Sequence, residues 1–120
     1  MTRPVHFEIL AKNPEKVAAF YSQVFGWKTN QWEGPEPYWL VSTGPEDAPG
    51  IDGGIMAIGH FTQPVINTIC VDKLEDTLQQ VERAGGRKVQ GPNEIPGIGL
   101  HAYCADPEGI LFGLLQPSAR

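Results

Sequence analysis

One order of hydrophobic and polar positions occurs twice along the chain, sixty positions apart. Residues 6–29 lie over residues 66–89 without a gap, and Ile9 falls on Ile69. Each copy runs from an alternating segment, typical of a half-buried strand, through a polar turn and an amphipathic segment to a glycine. The pattern predicts two similar half-domains, and a duplicated protein usually builds its functional site where the halves meet.

The first copy predicts one strand, one helix and three further strands. Within residues 4–11, Phe7 and Ile9 alternate with His6 and Glu8, which gives this strand one apolar and one mixed face. The remaining elements are a helix that starts at Asn13-Pro14 and stops at Gly26, and strands over residues 27–32, 38–43 and 54–58. We expect the helix to pack on the apolar face, which leaves His6 and Glu8 on the opposite face.

The second copy predicts the same order of elements. Asp72 and Glu75 form a D-x-x-E capping box at the start of its helix. The segment GPNEIPGIG, residues 91–99, is predicted to be a loop. The strands are predicted over residues 65–71, from 88–89 onward, over 100–105 and over 110–115. Each half therefore has the order β-α-β-β-β.

These elements predict an α+β fold in which two βαβββ modules form a cup-shaped mixed sheet, with the helices on the outer face. Module one covers about residues 1–60 and module two about residues 64–120, and both belong to one domain over residues 1–120. A domain of this length buries about two-thirds of its unfolded surface, which is enough for a core. We expect the cup to hold the ligand.

Charge and composition argue against several classes of function. The net charge of −5 and the pI near 5.0 argue against binding to nucleic acid or to an anionic membrane surface, because both need a clustered basic footprint. The start of the chain lacks a signal-peptide pattern, and no apolar run approaches the ~20 residues that span a bilayer. Cys70 and Cys104 are interpreted as reduced thiols, so we expect a cytoplasmic protein. The expected partner is a small organic ligand held in the cup.

Two motifs accompany the paired modules. The first is His6 followed by Ala18-Ala19-Phe20-Tyr21 and Phe25-Gly26-Trp27, and the second is the ending AYCADPEGILFGLLQP with its Asp106-Pro107-Glu108-Gly109 turn. In combination they resemble the vicinal oxygen chelate superfamily, which includes glyoxalase I, bleomycin-resistance proteins and extradiol dioxygenases. The resemblance is closest to small bacterial glyoxalase-like proteins, and it covers nearly the whole chain.

The resemblance implies where a divalent metal would be held. Metal-dependent members take His or Glu ligands from the first and last strands of each module, and the matching positions here are His6, Met56, Ile66 and Gly113. Isoleucine and glycine side chains have no donor atom, and a methionine thioether is a soft ligand. His6 alone is a competent ligand for a hard or borderline cation. We therefore expect no cofactor, and the pattern disfavours a divalent metal without excluding one.

The candidate ligand-binding residues lie on the predicted mixed strand faces. His6 is the candidate for a catalytic role, as a hydrogen-bond donor or general base, and its alternative is a strand histidine paired with a neighbour. The full set of candidate ligand-binding residues is His6, Glu8, Trp39, Met56, His101 and Tyr103. His101 and Tyr103 share one strand face, and the pattern does not tell which face this is.

Three functions are compatible with these residues. The leading one is a glyoxalase-like protein that binds a small molecule of unassigned identity and lacks the usual divalent metal site. The second is a metal-dependent lyase, isomerase or dioxygenase of the same superfamily, with a non-standard site that includes His6, Glu8 and His101. The third is an interaction protein that forms a homodimer through open sheet edges or the rim of the cup.

Overall fold

The computed structural model describes residues 2–34 and 36–118. The element order is β1 (Arg3–Ala11), α1 (Pro14–Phe25), β2 (Lys28–Gln31), β3 (Tyr38–Ser42), β4 (Asp52–Ala57), β5 (Val65–Cys70), α2 (Leu74–Arg83), β6 (Arg87–Ile95), β7 (Gly99–Ala105) and β8 (Leu111–Pro117). The predicted α+β class and the βαβββ order of each module are confirmed. The predicted modules also include residues 1, 35, 119 and 120, which lie outside the described residues.

The chain divides into two compact units, here called the first half and the second half. The first half is His6–Val65, and the second half runs from Ile66 onward and includes the beginning of β1. In the first half the strand order is β2-β3-β4-β1, with β1 and β4 parallel and the other pairs antiparallel. In the second half the order is β5-β8-β7-β6, with β5 and β8 parallel. The internal duplication seen in the sequence is therefore present in the topology of each half.

Each helix packs on one face of the sheet in its own half. In the first half, Phe7 and Ile9 of β1 pack against a buried cluster that includes Ala18 of α1. In the second half, the cluster beneath α2 comprises Val71, Leu74, Leu78, Ala102, Cys104 and Leu114, with Ile69 packed against it. The predicted helix-facing positions are thus confirmed, and the alternate positions on the same strands point to the other face of each sheet.

The start of α1 follows the prediction, and the N-cap of α2 lies one residue after the predicted Asp72. Asn13 accepts a hydrogen bond from the Lys16 amide at 3.1 Å, and Gly26 ends the helix in the left-handed conformation, with φ 73°. The N-cap of α2 is Lys73, one residue after Asp72, and the Lys73 side chain makes no cap hydrogen bond. The amide of Leu74 instead donates to Oε1 of Gln116 at 2.8 Å. None of the described helices is both long and apolar enough to cross a membrane.

The segment predicted as a loop over residues 91–99 is largely strand, because β6 continues to Ile95. Its pairing with β7 contains register shifts between Lys88 and Asn93. β6 pairs only with β7 within the sheet of its half, so Pro92, which has no N–H, is tolerated at this edge. Glycine and proline content alone therefore misplaced the end of this strand.

Candidate functional site

Three side chains of the first half form a hydrogen-bonded chain on the sheet face opposite α1. The Tyr38 hydroxyl donates to Oε2 of Glu8 at 2.8 Å, and the same hydroxyl lies 2.9 Å from Nε2 of His6. A phenol has one hydrogen to donate, so the Tyr38 oxygen accepts from an Nε2–H of His6. We call His6, Tyr38 and Glu8 the polar chain.

The polar chain depends on a glycine. In the sheet, β4 lies between β1 and β3, so Tyr38 must cross β4 to reach Glu8. The residue of β4 paired with Glu8 is Gly54, and a Cβ atom there would lie 2.0 Å from the Tyr38 hydroxyl oxygen. The absence of a side chain at Gly54 therefore opens the path that the phenol takes.

The electrostatic setting of the polar chain favours a neutral imidazole. Burial lowers the pKa of His6 below its ordinary value, although the negative charges of Glu8 and Asp52 act in the opposite direction. A neutral His6 that donates through Nε2 has its lone pair on Nδ1, and no hydrogen bond to Nδ1 is found within residues 2–34 and 36–118. Glu8 is only 6% exposed, so little water screens its carboxylate from neighbouring groups. The arrangement can accept a hydrogen bond or a proton at Nδ1.

The strand registers show which positions of the two halves are equivalent. Glu8 pairs with Gly54 in the first half, and Thr68, sixty positions after Glu8, pairs with Gly113 in the second half. The counterpart of Gly113 is therefore Gly54 and not Met56, which corrects the equivalence inferred from the sequence. Both last-strand positions are glycine, and neither can supply a ligand atom from a side chain.

The second half repeats the crossing over a glycine with different residues. His101 of β7 stands two residues before the partner of Gly113, as Tyr38 stands two residues before the partner of Gly54. A Cβ atom at Gly113 would lie 2.7 Å from Oγ1 of Thr68 and 2.9 Å from Nε2 of His101. The His101 and Tyr103 rings meet edge to face with centroids 4.5 Å apart. We call Thr68, His101, Tyr103 and Gly113 the second-half cluster.

The structure brings together some of the residues predicted for the site. His6 and Glu8 join through Tyr38, and Met56 pairs with Tyr38 on the neighbouring strand. Trp39 is not brought to this group, because it packs in the apolar cluster beneath α1. His101 and Tyr103 lie on the face opposite the α2 cluster, since the intervening Ala102 belongs to that cluster.

Sequence reasoning missed Tyr38 and Thr68. The available signal was the pairing of a glycine in the last strand with a polar residue in the first strand of each module. That signal becomes readable only when the parallel register is known, because the register decides which first-strand residue faces the glycine.

The donor set of each half differs from that of the divalent metal centre that the resemblance implies. In the first half, His6 and Glu8 are both hydrogen-bonded to Tyr38, and Gly54 adds no donor. Across residues 2–34 and 36–118, no three His, Cys, Asp or Glu side chains are grouped so as to hold a metal ion. These residues do not fit the His and Glu ligand set of the metal-dependent members.

A separate cavity of about 340 Å³ lies at the ends of β2 and β3. Its lining residues are Gly26, Lys28, Ser42, Thr43, Gly44 and Pro45. None of them belongs to the polar chain or to the second-half cluster, and the cavity has a single charged lining residue.

Solved structures with similar folds include methylmalonyl-CoA epimerases. The methylmalonyl-CoA epimerase of Mycobacterium tuberculosis has a TM-score of 0.73 at 12% identity, over 97% of this chain and 88% of that chain. The Streptomyces coelicolor methylmalonyl-CoA epimerase in complex with 2-nitronate-propionyl-CoA gives 0.73 at 12% identity, over 99% of both chains. At these identities the similarity shows the fold alone.

Sequence comparisons identify the family. CFP32 of Mycobacterium bovis, whose name marks it provisionally as a glyoxylase, is 25% identical over 121 residues, and the protein of that name from Mycobacterium tuberculosis matches equally. The match takes in 94% of this chain but only 43% of the relative, so the chain spans less than half the length of these curated proteins. The model of the glyoxalase-like domain matches residues 5–115. The chain therefore belongs to the glyoxalase-like domain family.

Proposed function

We propose that this protein binds a small organic molecule on the sheet face of the first half that carries the polar chain. The proposal rests on the polar chain, in which Tyr38 is hydrogen-bonded to both His6 and Glu8 and crosses Gly54 to do so. Tyr38 and Glu8 fix the ring of His6, so that Nδ1 is presented as a preformed acceptor. A ligand hydroxyl, amide or C–H acid would donate to this atom, and Met56 would supply adjacent apolar surface.

In the second half, His101 and Tyr103 offer another pair of polar groups on the sheet face that α2 leaves uncovered. We therefore propose that they bind ligand groups on the sheet face of the second half. The solved structures with similar folds suggest which compounds to test first, namely acyl thioesters of coenzyme A and the corresponding free acids. We also propose that the protein forms a homodimer, which light scattering of the purified protein tests.

The same proposal holds that ligand binding requires no divalent metal. It rests on glycine at both last-strand positions and on the engagement of His6 and Glu8 with Tyr38. Elemental analysis after incubation with Zn, Ni, Mn or Fe tests this part. We expect substoichiometric metal that is unchanged by His6→Ala, whereas stoichiometric metal lost in that variant would overturn it.

Ligand binding is tested by nuclear magnetic resonance with a panel of small organic acids, alcohols and acyl thioesters. We expect saturable shifts of the His6 ring resonances in wild type with at least one class. Binding followed through backbone amide resonances should be weakened about fivefold by His6→Ala, since a hydrogen bond to a fixed acceptor is worth about 1 kcal/mol. His60→Ala is the matched control, because His60 is exposed and lies outside the polar chain. Equal binding by wild type and His6→Ala would contradict the proposal.

A second candidate function is an isomerase or lyase in which His6 moves a proton. The neutral imidazole with a hydrogen-bonded Nε2 favours it, because the remaining lone pair can act as a general base. Turnover in this case should fall as His6 is protonated and should be abolished by His6→Gln. If turnover on an identified substrate survived that substitution, His6 would not be the base.

A further inference from the structure

Thr68 carries a buried hydroxyl that the protein does not satisfy. The residue is 2% exposed, and its Oγ1 atom has no hydrogen-bond partner within the part of the chain that the structure describes. A buried hydroxyl without a partner is costly to the folded state, and such groups are rare. A group from outside the described chain is therefore expected to pair with it at some stage of function.

The Thr68 hydroxyl lies near the His101 ring within the second-half cluster. Oγ1 of Thr68 and Nε2 of His101 both lie within 3 Å of the point where a Cβ atom of Gly113 would stand. Two polar atoms from β5 and β7 thus converge over β8, because the residue between them has no side chain. Oγ1 makes no hydrogen bond to Nε2, so an atom from outside the described chain could bond Oγ1 at this point.

In the first half, the equivalent side chains meet directly across the glycine. There the Tyr38 hydroxyl crosses Gly54 and bonds Glu8 directly. Threonine is shorter than glutamate and histidine is shorter than tyrosine, so the equivalent pair in the second half does not close in this way. Because the side chains of Thr68 and His101 are shorter, the space above Gly113 can take an additional atom.

We propose that the Thr68 hydroxyl, beside the His101 ring, is the donor for one carboxylate or carbonyl oxygen of a small organic ligand. The hydroxyl has one hydrogen to donate, and it finds no acceptor within the described part of the chain. His101 is only half-buried, and rotation of its ring gives a ligand access to the hydroxyl. This inference rests on the proposed ligand-binding function and adds a residue and a ligand chemistry to it.

The test is a titration of the full chain with pyruvate and acetate, followed in every variant through the His101 ring resonances and in wild type also through the Thr68 methyl resonance. Thr68→Val removes the hydroxyl at nearly constant shape, Thr68→Ser keeps it, and Thr62→Val is the matched control at an exposed threonine. We expect saturable shifts in wild type, weakening of binding by about tenfold in Thr68→Val, and near-native binding in the other two variants.

The result that overturns the inference is equal affinity of wild type and Thr68→Val, which would mean that only an ordered water pairs with this hydroxyl. No saturable shift with either probe would overturn it as well. His6→Ala in the same titration separates the two proposals. Binding lost in His6→Ala but kept in Thr68→Val leaves the proposed function standing without this site, and the opposite result leaves this site standing without the role of His6.

Discussion

The Tyr38 hydroxyl donates a 2.8 Å hydrogen bond to the Glu8 carboxylate, although the two residues belong to strands that are not neighbours in the sheet. The intervening strand contributes Gly54, so the side chains meet above backbone alone. A carboxylate that is 6% exposed depends on such donors, because its water shell has largely been removed. The Tyr38–Glu8 hydrogen bond therefore contributes both to the stability of the first half and to the arrangement of the polar chain.

Tyr38→Phe removes the donor and leaves the ring in place. We expect the free energy of unfolding to fall by about 1–3 kcal/mol, because the buried Glu8 carboxylate loses a hydrogen bond. Urea denaturation followed by fluorescence measures the change. The control is Tyr21→Phe, since the Tyr21 ring stacks on Trp27 and makes no hydrogen bond through its hydroxyl among the described residues. Equal losses in both variants would show that Tyr38 contributes only its ring.

Gly54→Ala tests the crossing itself. The added Cβ would stand 2.0 Å from the Tyr38 hydroxyl oxygen, so the phenol must turn away and its hydrogen bond to Glu8 is lost. We expect a destabilisation of about 1–3 kcal/mol, together with changed His6 ring resonances. Gly59→Ala is the control, because a Cβ there meets nothing within 4 Å. Unchanged His6 resonances in Gly54→Ala would show that the polar chain does not depend on this glycine.

The sequence was sufficient to predict the fold class, the duplication and the face that carries His6 and Glu8. All three follow from local periodicity, which strand alternation and helix amphipathicity express directly. Tyr38 could not be found this way, because its contact with Glu8 spans two strand pairings. Each pairing has a register that alternation leaves free by multiples of two residues.

The same freedom explains why Met56 was matched to Gly113. Met56 and Gly54 are two residues apart on one strand, so both point to the same face and fit the hydrophobic pattern equally well. Only the pairing of Glu8 with Gly54 and of Thr68 with Gly113 distinguishes the two alignments. Periodicity thus determines a face, whereas hydrogen-bonded register determines a neighbour.

Thr68→Val should raise the stability of the unliganded protein, which is the opposite sign to Tyr38→Phe. The substitution replaces an unsatisfied buried hydroxyl with a methyl group of similar size, and the expected gain is about 1 kcal/mol. Thermal and urea unfolding measure it. Thr68→Ser should not show the gain, because it keeps the hydroxyl and removes a methyl group. A loss of stability in Thr68→Val would mean that the hydroxyl is satisfied in the folded protein.

The two cysteines should differ in reactivity. Cys104 is fully buried in the cluster beneath α2, and burial raises the pKa of its thiol, whereas Cys70 is partly exposed. We expect a thiol-specific reagent to label Cys70 under native conditions and Cys104 only after denaturation. Mass spectrometry of peptides locates the label, and Cys70→Ser should abolish the native reaction. Native labelling that persists in Cys70→Ser would show that the cluster opens readily.

Protonation of His6 should lower stability in mildly acidic solution. Burial holds the pKa of His6 in the folded protein below the value of about 6.5 in the unfolded chain, so the unfolded state binds more protons between these two values. The free energy of unfolding therefore rises with pH through this window, and this contribution is lost as the pH falls below about 6.5.

His6→Gln keeps an N–H donor for Tyr38 but does not titrate. We expect the stability of wild type relative to His6→Gln to decline from about pH 7 to about pH 5, measured by urea denaturation at each pH. His60→Gln, at an exposed position outside the polar chain, is the matched control. Parallel curves for wild type and His6→Gln would show that the negative charges of Glu8 and Asp52 cancel the effect of burial.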